Sequence, residues 1–92
     1  MPKSVNTSEY DRFRLALIRA RKDARQTQAE LARRLRLPQS YVSKYERGER
    51  RLDVVELLQV LGALGVDTGE FIRKLGRALA GDDGGDIESP EG

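Results

Sequence analysis

The sequence contains neither cysteine nor histidine. Without cysteine the chain has no disulfide framework and no thiol nucleophile, and without histidine it lacks the commonest general base. These two residue types are also the usual protein ligands of zinc. Carboxylates can bind metals and transfer protons by themselves, but nothing in the sequence groups them where they would need to meet. We therefore predict that the protein is not an enzyme and has no metal or cofactor.

Long hydrophobic runs are absent as well. No stretch reaches the ~18 apolar residues of a membrane-spanning helix, and residues 1–7 lack the apolar segment of a secretory signal. Aromatic residues make up 5% of the 92 residues, whereas charged residues make up 35%. A chain of this length buries only about 60% of the surface of its unfolded state. The composition predicts one small cytoplasmic domain, with no membrane partner and with a stability that is modest or shared with a partner subunit.

The charges are divided unevenly along the chain. Residues 1–80 hold all 17 Lys and Arg together with 10 of the acids, a net charge of +7, whereas residues 81–92 hold five acids and no base, a net charge of −5. This asymmetry is expected of a nucleic-acid-binding protein. Residues 81–92 are also rich in glycine, and Ile87 is their one apolar side chain, which predicts a disordered acidic tail.

The pattern of residues 8–80 predicts a single domain of five short helices without strands, preceded by a flexible arm over residues 1–7. Helix 1 begins at Thr7 or Ser8 and ends near Ala24. Its apolar face recurs at helical spacing and consists of Phe13, Leu17, Ala20 and Ala24.

Local start and stop signals delimit the other four helices. Pro38 precedes helix 3, and Gly48 ends it. Helices 2, 4 and 5 each begin with a capping box, in which an N-cap side chain is followed three residues later by glutamate. The three boxes are Thr27 with Glu30, Asp53 with Glu56, and Asp67 with Glu70. The apolar residues of helix 4 are Val54, Leu57, Leu58, Leu61 and Leu64.

The segment from Gln28 to Tyr45 is the most informative about function. With Gln28 as position 1, position 5 is the small residue Ala32, and positions 4, 8, 10, 15 and 18 are apolar. Two helices that cross at about 90–120° through a short turn need this pattern, because the second helix passes over position 5 and the apolar side chains form the wedge between the helices. The spacing therefore predicts a helix-turn-helix whose wedge consists of Leu31, Leu35, Leu37, Val42 and Tyr45.

The chain closely resembles the phage repressor/Cro (XRE-like) family of helix-turn-helix DNA-binding transcription regulators. The resemblance extends from about Phe13 to Leu75 and rests on two segments, Thr27–Ala32 (TQAELA) and Gln39–Arg50 (QSYVSKYERGER). It implies an all-α, compact five-helix bundle of the lambda repressor-like type. It also implies that the protein binds operator DNA as a dimer, with helix 3 in the major groove.

The resemblance assigns base contacts to the start of helix 3. Gln39 and Ser40 are the main base-reading residues, and Gln39 can contact both N6 and N7 of adenine. Pro38 lies against a thymine methyl group, while Ser43 and Lys44 reach base edges or the DNA backbone.

Other residues are assigned to the phosphates or to the scaffold. By the resemblance, Gln28 bonds a phosphate and braces Gln39, Arg51 approaches a phosphate, and Arg21 pairs with Glu46 as a structural ion pair. Arginines that flank the recognition helix are the better candidates for phosphate contacts because of that position, although long-range attraction works with any of them. The flanking arginines are Arg33, Arg34, Arg36, Arg50 and Arg51.

Two positions depart from the family pattern. Arg36 occupies position 9 of the motif, where the family usually has a glycine in the left-handed conformation, and holding a non-glycine residue there costs on the order of 1 kcal/mol. Arg25 likewise stands where a glycine often ends helix 1. Both substitutions add positive charge near the predicted DNA-binding face.

Helix 5 and the acidic tail each allow two interpretations. Helix 5 either only closes the core or forms part of a two-fold dimer contact through Ile72, Leu75 and Leu79, with the two recognition helices about 34 Å apart. The tail is either a solvated appendage or a segment that competes with DNA for the basic face.

These features predict a sequence-specific double-stranded DNA-binding transcription regulator, in the first place a repressor that occupies a palindromic operator as a homodimer. Activation by contact with polymerase stays open, and a controller of a restriction–modification cluster has the same sequence features. The alternative is an antitoxin or another protein-binding module that uses the same fold. A toxin-binding extension normally carries apolar residues, and the tail has only Ile87, which disfavours that alternative.

Overall fold

A computed structural model of the protein describes residues 8–81. The predicted arm over residues 1–7 and all but the first residue of the predicted tail over residues 81–92 lie outside the described residues. Within residues 8–81 the chain forms five α-helices and no strand, which confirms the all-α prediction. The helices are α1 (Ser8–Asp23), α2 (Gln28–Leu35), α3 (Gln39–Glu46), α4 (Val54–Leu64) and α5 (Thr68–Leu79). None of these helices is long and apolar enough to cross a membrane.

Capping boxes begin α2 and α4, as predicted. At α2, Thr27 Oγ1 accepts a hydrogen bond from the Glu30 amide at 3.0 Å, and Glu30 Oε1 accepts one from the Thr27 amide at 2.8 Å. At α4, Asp53 and Glu56 exchange the same pair of bonds at 2.8 and 2.9 Å. Each box satisfies two amides that have no partner within the helix.

The start of α5 differs from the prediction, because only half of its box forms. Asp67 Oδ1 accepts a hydrogen bond from the Glu70 amide at 2.9 Å. The Glu70 carboxylate lies instead one turn along the helix, 3.9 Å from Lys74 Nζ. An exposed i,i+4 ion pair of this kind stabilises a helix by only ~0.3–0.5 kcal/mol, so the Asp67 cap is the stronger start signal.

Side chains from all five helices form the core. Packing joins α2 to α3 and α4, α1 to α3 and α5, and α4 to α5. The most deeply buried large side chains come from all four of the first helices, namely Leu17, Leu31, Val42, Tyr45, Val60 and Leu61. The α2–α3 wedge therefore belongs to the main core, and α3 has its inner face fixed by packing.

One predicted wedge residue lies elsewhere. Leu37 remains 39% exposed, so the prediction that it fills the wedge is wrong. Arg36 ends α2 in the left-handed conformation, and the Leu37 amide bonds back to the Ala32 carbonyl at 3.0 Å. This turn holds Leu37 at the rim of the motif, while Leu31 and Val42 fill its centre.

The outer face of α4 was also not predicted. Leu57, Leu61 and Leu64 are buried, but Val54 and Leu58 are 70% and 46% exposed. The helix packs mainly against α2 and α5, and its opposite face stays in solvent although it is apolar.

Helix α5 closes the bundle against α1. Phe71 is buried in the core, and the Arg12 guanidinium of α1 donates a hydrogen bond to the Ala78 carbonyl near the end of α5. The three residues of the predicted dimer contact differ in exposure: Ile72 is 44% exposed, whereas Leu75 and Leu79 are half-buried.

Candidate nucleic-acid interface

The starts of α2 and α3 lie side by side and carry the two glutamines singled out in the sequence. Gln28 is the first residue of α2, and Gln39 is the first residue of α3. Gln39 Nε2 donates a hydrogen bond to Gln28 Oε1 at 3.4 Å. The structure thus brings together two side chains that are eleven residues apart in the sequence.

The outer face of α3 is polar and accessible. Gln39, Ser40 and Lys44 are exposed, as is Pro38 before the helix. Ser43 is half-buried, and its hydroxyl donates to the Ser40 carbonyl at 3.3 Å. A helix is about 10–12 Å wide, which matches the ~12 Å width of the major groove of B-DNA.

A buried ion pair lies directly beneath this face. Arg21 Nε and Nη2 donate to the two carboxylate oxygens of Glu46 at 2.7 and 3.1 Å, and Arg21 Nη1 donates to the Gln26 carbonyl at 2.9 Å. The hydrogen bond to Glu46 raises the pKa of Arg21, so the guanidinium stays charged although it is buried. The pair joins the end of α1 to the end of α3.

The Glu46 carboxylate has one more partner, which the sequence reasoning missed. Gln28 Nε2 donates to Glu46 Oε1 at 2.8 Å. The two residues are eighteen positions apart and are brought together only by the crossing of α2 and α3, so no local pattern signals the contact. Gln28 therefore touches both the buried pair and Gln39.

The flanking arginines differ in how firmly they are held. Arg33 and Arg36 are exposed, and Arg36 has a φ of 61°. Arg50 makes a bidentate pair with Glu56 at 3.2 and 2.6 Å, and its guanidinium lies 4.8 Å from the centre of the Tyr41 ring.

The loop between α3 and α4 is fixed to α1. Arg51 lies 4.2 Å above the Tyr10 ring, and the Tyr10 hydroxyl accepts a hydrogen bond from the Leu52 amide at 3.2 Å. Arg14 Nη1 donates to the Glu46 carbonyl at 2.6 Å. The ring contacts and the ties to α1 were not predicted, and they hold the basic loop beside the recognition helix.

Among residues 8–81, no group of three or more acidic side chains is placed to hold a metal ion. Burial raises the pKa of Tyr41 and of Tyr45 further above neutral pH. The surface around α3 instead presents amide, hydroxyl and guanidinium groups, which suit the hydrogen-bonding edges of bases and the charge of phosphates.

The chain is similar to known proteins in sequence and in structure. A family model described as helix-turn-helix matches residues 17–71, which is more than half of the chain. No curated protein matches the chain.

Solved structures give further matches. An XRE-family like protein from Pseudomonas syringae pv. tomato str. DC3000 is 42% identical, with a TM-score of 0.73 over 77% of this chain and 87% of that chain. The wild-type restriction–modification controller protein C.Esp1396I is 22% identical, with a TM-score of 0.75 over 83% of this chain and 99% of that chain. The tetramer of that controller in complex with its natural 35 base-pair operator gives a TM-score of 0.73 at 23% identity, over 82% of this chain and 99% of that chain.

The controller structures share the fold of this chain, and the family model and the Pseudomonas relative add a shared sequence. The matches to the family model and to the Pseudomonas relative both extend over the helix-turn-helix described above. The chain belongs to the XRE family of helix-turn-helix DNA-binding transcription regulators.

Proposed function

We propose that the protein represses transcription by occupying a two-fold symmetric operator as a homodimer, with α3 of each protomer in the major groove. The observation that carries the proposal is the exposed polar first turn of α3, which is braced from α2 and flanked by arginines. The controller C.Esp1396I supports it, since that similar fold forms a tetramer on its natural operator.

In this proposal, base contacts come from one face of α3 and the residue before it. Gln39 and Ser40 read bases directly, and Pro38 lies against a thymine methyl group. Lys44 reaches a base edge or a phosphate from the next turn. Ser43 is half-buried and bonded to the Ser40 carbonyl, so it contributes only where its hydroxyl oxygen accepts a hydrogen bond.

Phosphate contacts flank the recognition helix. Gln28 has one amide hydrogen left for a phosphate after its bond to Glu46. Arg33 and Arg36 are exposed and add to the long-range attraction of the phosphates. The Arg50 guanidinium is paired with Glu56, and the Arg51 guanidinium lies over the Tyr10 ring. Both charges are therefore held in place before DNA binds.

The test is to select binding sites from random duplex DNA at near-physiological salt with the wild type and with Gln39→Ala. A matched control is Gln59→Ala, since Gln59 is an exposed glutamine on α4, which follows the helix-turn-helix segment in the chain. We expect a palindrome with half-sites about one helical turn apart. Gln39→Ala should lose about 1–3 kcal/mol per half-site and relax one base position, and Gln59→Ala should match the wild type.

The opposite result is equally clear. If no site is enriched and binding only follows the salt concentration, the protein does not read an operator. A protein partner such as a toxin or polymerase, sought by affinity capture, then becomes the leading candidate for what the domain recognises.

The proposed dimer contact on α5 consists of Ile72, Leu75 and Leu79. Ile72 is its most exposed member, and Leu58 of α4 is almost equally exposed, at 46% against 44%. Ile72→Glu should therefore shift the protein to monomers in sedimentation, because it buries a charge in the interface, whereas Leu58→Glu should not. The reverse result would move the contact to α4, and a wild type that is monomeric with and without DNA would exclude the dimer.

A further inference from the structure

We propose that the buried Arg21–Glu46 pair sets which base Gln39 reads, because Glu46 fixes the direction of a hydrogen-bond relay that runs through Gln28 to Gln39. The inference rests on the proposed function, in which Gln39 contacts a base. It makes Glu46 a positioning residue and gives the ion pair a role in specificity in addition to its role in holding α1 to α3.

The relay begins at a carboxylate that can only accept hydrogen bonds. Glu46 is 5% exposed and is paired with Arg21, which is 9% exposed. Its carboxylate takes bonds from Arg21 Nε and Nη2 and from Gln28 Nε2 at 2.7, 3.1 and 2.8 Å. A carboxylate in such a pair has no hydrogen to donate, so Gln28 must turn its NH₂ group toward Glu46.

The orientation of the Gln28 side-chain amide then fixes the orientation of the Gln39 side-chain amide. With its nitrogen committed to Glu46, Gln28 presents its oxygen toward α3, where it accepts from Gln39 Nε2 at 3.4 Å. Gln39 therefore gives one N–H to Gln28. What remains for DNA is its second N–H and its oxygen, that is, one donor and one acceptor.

This remaining edge discriminates between the two purines. Adenine presents the N7 acceptor and the N6 amino donor in the major groove, whereas guanine presents two acceptors, N7 and O6. One donor with one acceptor matches adenine. If the relay ran the other way, Gln39 would offer its oxygen to Gln28 and two N–H groups to the DNA, which would match guanine. The buried Glu46 carboxylate thus favours adenine over guanine indirectly, through the orientation of Gln28 and Gln39.

The experiment removes the carboxylate without leaving an unpaired charge. The double variant Arg21→Met/Glu46→Met replaces the pair by apolar side chains of similar length, a change that buried ion pairs often tolerate. The matched control is Arg47→Met/Glu49→Met, which removes the exposed bidentate pair just after α3. Thermal unfolding by circular dichroism shows whether each variant is folded.

The readout is the affinity ratio for operators that carry adenine or guanine at the position relaxed by Gln39→Ala. We expect the wild type to prefer adenine by at least ~5-fold, the control to keep that ratio, and the Arg21/Glu46 variant to fall to ~2-fold or less. Affinity for random duplex should stay within ~2-fold of the wild type, because no phosphate contact is lost.

An unchanged ratio in the folded Arg21/Glu46 variant would show that the pair is only structural and would overturn the proposal. If that variant does not fold, Gln28→Leu cuts the relay while the ion pair stays intact, and a wild-type ratio there would overturn it too. Failure of the proposed function is a separate result, since Gln39→Ala would then relax no base position in the first place.

Discussion

Arg25 and Arg36 both adopt the left-handed backbone conformation, with φ of 59° and 61°. Each stands in a turn between helices, and the Arg36 amide bonds to the Arg33 carbonyl at 3.1 Å to end α2. An L side chain is strained in this region, whereas glycine is not. Only the family pattern identifies Arg36, at position 9 of the motif, as a left-handed site, because nothing in arginine itself predicts a positive φ.

Arg36→Gly should therefore raise the free energy of unfolding by about 0.5–1 kcal/mol, because relief of strain exceeds the added entropy of glycine in the unfolded state. It should also weaken binding to random duplex, since an exposed cation is lost. Denaturant unfolding and binding titrations measure the two effects.

Arg25→Gly is the matched control, because it relieves the same strain in a different turn. It should stabilise the protein by a similar amount, with a smaller effect on DNA. If both variants are destabilised, the left-handed conformation is not a source of strain in this fold.

Tyr45 presents the opposite case, a polar atom that the core encloses. The residue is 2% exposed, and its hydroxyl is buried without a hydrogen-bond partner in the part of the chain that the structure describes. Burial raises the pKa of this phenol well above its ordinary value of 10.0. The ring packs edge-on against Tyr41, with centroids 5.8 Å apart.

Tyr45→Phe should leave the free energy of unfolding unchanged or raise it by up to about 1 kcal/mol, because it removes a desolvated hydroxyl and keeps the ring. Tyr41→Phe is the comparison, since the Tyr41 ring is half-buried and lies near Arg50. A loss of more than 1 kcal/mol in Tyr45→Phe would reveal a hydrogen bond that the hydroxyl makes in solution.

At the scale of elements, the two complete capping boxes make α2 and α4 sensitive to acid. Hydrogen bonds from Thr27 lower the pKa of Glu30. The Arg50 guanidinium, and then the Asp53 amide, lower the pKa of Glu56. A carboxylate whose pKa is lowered by folding stabilises the protein at pH values above its pKa in the unfolded state, which is 4.5 for glutamate. This contribution is lost as the pH falls through the lower pKa of the folded state.

We therefore expect the free energy of unfolding to fall as the pH drops below 4.5. Glu56→Gln should lower stability at neutral pH and flatten the pH dependence, because glutamine keeps the shape but not the charge. Glu70→Gln is the control, since the Glu70 carboxylate in the first turn of α5 lies beside Lys74 and not at the amide of the N-cap residue. Urea unfolding at several pH values between 3 and 7 measures both, and parallel curves for Glu56→Gln and the wild type would contradict the assignment.

The helices also show which structural features can be predicted from the sequence. Helix starts follow from side chains three residues apart, so Thr27 and Asp53 could be identified as caps. The exposure of Val54 and Leu58 could not, because it depends on which neighbours α4 meets after folding. The Gln28–Glu46 bond is of the same kind, since two helices must cross before the side chains meet.

At the scale of the whole molecule, the uneven distribution of charge along the chain affects the affinity for DNA. Residues 82–92 carry five acids and no base, so their deletion raises the net charge from +2 to +7. Phosphate attraction is long-ranged at low salt and screened within ~10 Å at 0.1 M. Deletion should therefore increase the affinity for random duplex several-fold at low salt and much less at high salt.

The salt dependence separates repulsion from direct competition. If the acidic segment only repels DNA, the slope of log affinity against log salt stays the same after deletion. If it occupies the basic face, DNA displaces carboxylates as well as ions, so the intact protein has the shallower slope. A variant with its five acids changed to Asn or Gln controls for length and should behave like the deletion. Equal affinities of all three proteins at low salt would show that the negative charge of this segment does not reach the DNA-binding face.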